Sequence, residues 1–382
     1  MQLKLHPKAR PAVRPRAAVR RPSRAAAVLA TLVCASALTA CGQPVAGVGA
    51  PDGDKVVITL SAKTWNAGLA SLAVSEKRGY FADENLNVSF VLLDGATIQA
   101  QQVATNNATV GAITPEPVIF GDQPGKRLNL RYFSSFYRKN IYGLRVPAGS
   151  PIKSLADLRG KKIGAASLGS ASVTNVQVAL QDAGIPKSAV TFVAIGTGAQ
   201  QATALKNRDV DAVALFDTQF QILENNGVPL RRIPLPKIDE LAGGGLVATS
   251  ANLRRKPELY ARIGRAVAKG VVFAQENPTA AINDLYAAHP QARNAAIPLS
   301  KARANDTKVL TVRMQTLGVQ PGEQQWGILK ASELQRNIDY MKRAGLITQN
   351  VDVNDIFTSD LTAEINKFDP APIRAAARAA RT

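Results

Sequence analysis

Val88-Ser89-Phe90-Val91 opens a stretch that returns, without a gap, at Val190-Thr191-Phe192-Val193. The offset is 102 residues throughout: Gln99 falls on Gln201, Asn107 on Asp209 and Ala112 on Ala214. Thr114-Pro115-Glu116 then falls on Phe216-Asp217-Thr218. Each copy reads as strand, helix, strand, helix: residues 88–93, 97–105 and 109–113, then a helix from Pro115. The second copy has strands at 190–195 and 210–215, a helix between them ending at Lys206, and a helix over 218–226. Similarity at a fixed offset reflects architecture. Strands alternating with helices predict parallel sheets.

Reading outward adds a strand at 56–60 and a helix at 69–78 stopped by Gly79, then strands at 128–133 and 162–165. A helix capped by Ser170 or Ser172 ends at Gly184 and Pro186. From Ala251 the pattern is helical: 257–275, 279–288, 304–318 and 331–344, all expected to return to the first lobe. The expectation is therefore α/β with two lobes, each a mostly parallel sheet flanked by helices. Residues 140–147 and 243–249 make the two crossings of a hinge. Lobe one spans 54–143 and 243–345, lobe two 144–242, and residues 346–382 form a tail.

The N-terminus carries eight basic residues and no acidic one before residue 40, then an apolar run from Ala25 to Leu38. That run is shorter than a membrane-spanning helix and reads as a secretory signal over residues 1–40. Leu38-Thr39-Ala40-Cys41 resembles the bacterial lipobox, which implies lipidation of Cys41 and a membrane anchor there. Residues 41–53 read as a flexible tether. The chain has 47 Lys and Arg and 28 Asp and Glu; without the leader, 39 basic residues remain against 28 acidic, a net +11. The excess is scattered and no nucleic-acid motif accompanies it, so no nucleic-acid partner is expected. Of two cysteines, Cys34 leaves with the leader, so no disulfide forms within the mature chain and its stability rests on an apolar core.

Residues 76–88 (Glu-Lys-Arg-Gly-Tyr-Phe-Ala-Asp-Glu-Asn-Leu-Asn-Val) follow Gly68-Leu69 and resemble the opening of solute-binding proteins for alkanesulfonates, taurine, nitrate and thiamine pyrimidine precursors. Residues 152–164, with Ser154, Asp157-Leu158-Arg159-Gly160-Lys161 and Ile163-Gly164, resemble the same family's second motif, and Val210-Asp211-Ala212 its third. Asn85-Leu86 departs from the family's Gly-Leu, which changes a turn. The resemblance implies a type II periplasmic-binding-protein fold, lobe closure on a small-molecule ligand, and the permease and ATPase subunits of an ABC importer as partners. It implies a monomer, no cofactor, no metal and no catalysis.

Loops after parallel strands face the ligand crevice. Those loops carry Lys63, Thr64, Trp65 and Asn66 after the first strand, and Thr97, Thr114 and Glu116 elsewhere in lobe one. In lobe two they carry Ser167, Gly169, Ser170, Ser172, Thr197 and Asp217, with Thr218 beside it. Trp65 stacks on a planar ligand or else packs on its own lobe. The serines hold an anion at a helix start or else cap the helix. Glu116 and Asp217 hold an amine or ring N–H or else cap helices. Arg138 and Lys139 read as a solvated surface pair, a countercharge in the cleft being the other reading. The ligand is left between a sulfonate-like anion or zwitterion and a thiamine-pyrimidine-like heterocycle. Two alternatives remain: a ligand sensor without a transporter, and a pyrimidine-synthase-type enzyme, which the lack of cysteine disfavours.

Overall fold

The computed structural model describes residues 47–381, Asp94 and Pro321 apart. Cys41, the leader and the start of the tether lie outside the described residues. The rest of the tether is short-lived as such: β1 (Val48–Gly49) pairs antiparallel with Val88 and Asn87. The open edge of a sheet offers unpaired amides and carbonyls, and a neighbouring segment satisfies them.

The first sheet begins with β2 (Asp54–Ser61), whose Val56, Ile58 and Leu60 are buried. Asn66 accepts from the Gly68 amide and caps a single 3₁₀ turn leading into α1 (Ala70–Lys77). Gly79, at φ +77°, ends that helix in the left-handed conformation that a side chain disfavours. A one-turn α2 (Tyr80–Asp83) follows, then β3 (Leu86–Leu93), parallel to β2 over eight residue pairs. The helix α3 (Ala96–Ala104), β4 (Val110–Ile113), α4 (Pro115–Gly121) and β5 (Leu130–Tyr137) complete the first run.

The chain then leaves for the second sheet. The segment expected as an extended crossing is a strand of that sheet, β6 (Tyr142–Pro147), so the crossing itself is only 138–141. Next come β7 (Lys162–Ala165), α5 (Ala171–Asp182), β8 (Thr191–Ala194), α6 (Ala199–Lys206), β9 (Ala212–Phe216), α7 (Asp217–Asn225) and β10 (Leu230–Ile233). Its Arg-Arg centre hid β10 as a strand. Residues 234–243 return to the first sheet, where β11 (Gly244–Thr249) inserts between β4 and β5.

Both sheets follow one plan. The first runs β3-β2-β4-β11-β5 with β1 added at its edge, and the second runs β8-β7-β9-β6-β10. In each, the first three strands are mutually parallel, the fourth is antiparallel to its neighbours, and that fourth strand is the one supplied by a crossing.

The helical return starts with α8 (Ser250–Arg255), α9 (Pro257–Glu276), α10 (Pro278–Ala288) and α11 (Leu299–Leu317). The core of lobe one gathers Val56, Ile58 and Leu60 of β2 with Ile263, Val271 and Phe273 of α9. The next helix, α12 (Ala331–Arg343), serves both lobes. Its Leu334, Ile338 and Met341 are buried in a cluster that also holds Ile113 and Val118 of lobe one and Val176 and Leu180 of lobe two. Each such side chain contributes roughly 1.5–3 kcal/mol. Residues 346–381, expected as a tail, fold as α13 (Val353–Ile356), α14 (Thr362–Ile365) and α15 (Pro370–Ala379). Their Ile356, Ile365, Ile373 and Ala377 are buried, so this arginine-rich end has an apolar face that the basic composition masked.

Candidate functional site

The two crossings lie side by side. The Asn140 amide N–H donates to the Leu241 carbonyl at 3.0 Å, and the Asn140 side chain donates to Ile238 at 3.1 Å. Asn337 of α12 accepts from the Ala242 amide and donates to its carbonyl, which braces the return strand. Gly243 and Gly244 make the fit possible: a Cβ on Gly243 would stand 2.1 Å from the Lys139 carbonyl, and one on Gly244 2.3 Å from the Ile113 carbonyl. Gly244 is also at φ +110°.

Beside these glycines, β4 ends at Thr114. Thr114 occupies the N-cap position of α4 with Pro115 at the first turn, but its hydroxyl caps nothing. That hydroxyl is buried and lies beside the Glu116 carboxyl and the Tyr142 phenol, both of which it favours in the charged form. The Tyr132 hydroxyl donates to the Thr114 carbonyl at 2.9 Å. Glu116, one residue beyond Pro115, is 9% exposed, and its Oε2 is without a partner among the described residues. Burial pushes its carboxyl up, against the pull of its own backbone N–H and of the Thr114 hydroxyl. Burial and the nearby Glu116 carboxylate also push the Tyr142 and Tyr132 phenols up.

The matching position of lobe two holds Asp217, the first residue of α7. Its Oδ1 accepts from the Thr218 amide at 2.7 Å and from Arg313 of α11 at 2.7 Å, while Oδ2 accepts from Thr316 at 3.2 Å. Burial pushes its carboxyl up and the Arg313 guanidinium opposes that. Asp217 therefore joins lobe two to the helical return of lobe one. Arg313 is 4% exposed, stacks over Tyr137 at 4.9 Å, and keeps Nε and Nη1 without partners among the described residues.

The serine loop splits. Ser170 caps α5 by accepting from the Ser172 amide at 3.3 Å. Ser172 is buried and donates to the Ala214 carbonyl at 2.8 Å. Ser167 and Gly169 are exposed, as are Lys63, Thr64 and Thr197, all on loops at the carboxyl ends of parallel strands, and Thr97 is exposed in the first turn of α3. Asn66 is spent on its 3₁₀ turn. Trp65 lies flat on His289, ring centroids 3.6 Å apart, with Phe90 edge-on at 5.1 Å. His289 in turn bonds Glu76 at 2.8 Å. Trp65 is thus held by its own lobe. Arg138 is no solvated surface residue: it is buried and holds Glu323 at 2.6 Å and Glu333 at 3.2 Å, whereas Lys139 is exposed.

Several members of this junction carry no signal in the sequence. Arg313 and Thr316 sit on a helix about a hundred residues from Asp217, and Tyr142 reads as part of a connector. Asn175 of α5 is buried with both side-chain amide atoms unpartnered among the described residues, and its carbonyl accepts from the Tyr340 hydroxyl at 3.3 Å. Only its spacing of three from Ser172 placed it on the inward face.

Two sheets of one strand order, joined by a double crossing, define a two-lobed periplasmic-binding-protein fold of type II. The chain belongs to the NMT1/THI5-like family, which it matches over residues 66–281. It is similar to the riboflavin-binding protein RibY of Chloroflexus aurantiacus, with 24% identity over 77% of this chain and 82% of that one. Among solved structures it resembles the periplasmic aliphatic sulphonate-binding protein SsuA of Escherichia coli, with TM-score 0.61, 17% identity, and 81% and 99% of the two chains covered. The desulfurization enzyme DszB shares the fold as well, with TM-score 0.54, 15% identity, and 82% and 98% covered. No helix among the described residues is long and apolar enough to cross a membrane.

Proposed function

We propose that this protein is an extracytoplasmic solute-binding lipoprotein that closes its lobes on a small organic molecule and delivers it to an ABC importer. The observation that carries the reading is the junction itself. Both lobes bring buried polar groups to one place, Thr114 and Glu116 from the first and Asp217 and Asn175 from the second, and several of those groups have no partner among the described residues. Buried polar atoms are costly unless satisfied, so a bound solute is the economical partner for them. The exposed residues Lys63, Thr64, Thr97, Ser167, Gly169 and Thr197 form the rim, and Trp65, Asn66, Ser170 and Ser172 hold the loops in place.

The relatives support the solute-binding part: one binds riboflavin and another aliphatic sulphonates. An enzyme on this fold is the second reading, favoured only by DszB. The mature chain has no cysteine beyond Cys41 and one histidine, His289, which is stacked on Trp65 away from the junction. Export and lipidation at Cys41 rest on the lipobox resemblance. A thermal-shift screen of the full chain against sulfonates, taurine, nitrate, pyrimidines and riboflavin tests the binding role. A ligand at a hundred times its dissociation constant stabilises by about 2.7 kcal/mol. A flat response to those compounds and to a broad metabolite library would remove the solute-binding reading.

A further inference from the structure

At the end of the first sheet opposite the junction lies a cavity of about 380 Å³. β11 runs from one to the other: Gly244 stands against Thr114, and Thr249 pairs with Leu130 at the cavity's edge. That length of strand, about 17 Å, separates the two sites. Arg127, Arg131 and Arg254 line the cavity, and none of them forms an ion pair among the described residues. Arg131 is fixed in direction, because it donates to the Asn354 and Asp355 carbonyls of α13. Arg127 and Arg254 are exposed. Asp122 and Asp355 share the wall, so three positive charges face two negative ones, a net +1. The apolar contribution is the methyl of Ala251.

A wall of this kind selects a small, polar anion. Guanidinium forks match phosphate oxygens in pairs. A carboxylate offers two oxygens to three such forks, whereas a phosphodiester offers four. Ionised Asp122 and Asp355 only accept, so the rest of the guest must donate. A singly charged phosphodiester bearing hydroxyl groups meets both demands and the net charge.

The chain enters at this same end. β1 pairs with Asn87 and Val88 at the start of β3, and β3, β4 and β5 all run in one direction, so β1 and the cavity share the base of lobe one. β1 and β5 are the two edges of a six-stranded sheet, about 24 Å apart. Seven residues lead from Cys41 to Val48, a reach of at most about 25 Å. A lipid on Cys41 therefore keeps the base, cavity included, close to the membrane surface. Lys126, Arg255 and Lys256 are exposed on the same loops and outnumber the exposed Asp352 and Glu258 there. Such an excess is drawn to anionic lipid.

We infer that the base of lobe one carries a second binding site, separate from the solute junction, for the headgroup of an anionic membrane phospholipid: Arg127, Arg131 and Arg254 hold its phosphodiester, and Asp122 and Asp355 accept from the hydroxyls of a glycerol headgroup. One such contact does not anchor a protein alone; it orients a chain that a lipid already holds. Held so, the solute junction lies at the end of lobe one away from the bilayer. The inference adds to the anchoring proposed above and is tested apart from it.

Vesicle sedimentation of the full chain carrying Cys41→Ser tests it, with no acyl chain to intervene. Vesicles of phosphatidylcholine are compared with vesicles holding about one third phosphatidylglycerol, at about 50 mM salt, where screening is weak. Arg127→Gln/Arg254→Gln should weaken binding to the mixed vesicles about 10- to 30-fold. Lys153→Gln/Lys187→Gln removes the same charge from exposed positions of lobe two and should weaken it less than about twofold. The basic leader is common to both variants and cancels. Glycerophosphoglycerol, followed by phosphorus NMR, should bind the unaltered chain in detergent, and inorganic phosphate should compete for it poorly. Equal losses in the two variants mean unspecific attraction and overturn the inference, as does equal binding to the two kinds of vesicle. Silence of glycerophosphoglycerol, or tighter binding of inorganic phosphate, also overturns it. Failure of lipidation shows instead as release of the unaltered chain from membranes and leaves these results standing.

Discussion

Arg313 and Asp217 meet at 2.7 Å across the boundary of the two lobes, one on the helical return of lobe one and the other at the first turn of α7. The side chains are 5% and 11% exposed, so the pair is removed from water. Its partners extend it: Thr316 donates to the other carboxylate oxygen, and Thr218 accepts from the same guanidinium at 3.4 Å. An ion pair so placed resists separation of the lobes. Removing one member leaves the other charge buried and alone, at a cost of about 3–5 kcal/mol.

Arg313→Leu is therefore expected to lower the urea midpoint sharply and to shift the ligand-free protein toward open lobes. Small-angle scattering checks the second effect through a larger radius of gyration. The double variant Arg313→Leu/Asp217→Leu should recover much of the lost stability, because no charge is then stranded.

Glu116 predicts a pH signature. Its folded carboxyl is raised above the ordinary carboxylate range by burial, so the folded state holds that proton more tightly than the unfolded chain. Stability from this group is then present at low pH and is lost as pH rises from the ordinary range toward the raised value. Glu116→Gln should match the unaltered protein near about pH 4 and exceed it in urea midpoint near about pH 8. Equal differences at both values would mean that the carboxyl titrates normally.

Trp65 is buried on His289 and Phe90. Trp65→Ala should cost about 3–5 kcal/mol of stability, the usual price of emptying an aromatic site. Solute affinity, measured well below the lowered melting point, should change less than about threefold, since the ring faces its own lobe. A large affinity loss in a stable protein would return Trp65 to the ligand.

Gly244→Ala places a methyl against the Ile113 carbonyl at a backbone angle of +110°. The strain alone is worth about 1–3 kcal/mol. Because Thr114 Cα lies 2.8 Å from the same Cβ position, the variant should lose solute affinity as well as stability.

Cys41→Ser should release the protein from membranes into the soluble fraction, as shown by fractionation and by loss of metabolic labelling with palmitate. Continued membrane association would mean another anchor.

The repeat at an offset of 102 was the most legible feature. It placed β3, α3, β4 and α4 onto β8, α6, β9 and α7 because those units bury the same faces at the same spacing. The repeat also put Thr114, Glu116 and Asp217 at strand ends. What stayed hidden depends on distant partners. Local spacing said nothing of Arg313 closing on Asp217, of Arg138 finding two glutamates, or of Tyr340 reaching Asn175. Tyr142 and Leu230 begin strands whose polar residues obscure the alternation of a sheet, and β10 was missed for that reason. The apolar face of α15 is spread among alanines and arginines, which made a folded end look like a charged extension.

One consequence of β11 lies outside binding. It fills the gap between β4 and β5, yet it is made only after the whole of lobe two. Until residue 249 has emerged, the first sheet is split into halves with bare inner edges, whereas the second sheet needs nothing beyond residue 233. The second sheet, though begun later, should therefore be completed first, and a nascent or translocating chain carries unpaired strands of the first sheet meanwhile. Such a chain needs protection by chaperones in proportion to the time taken to synthesise or thread the intervening lobe.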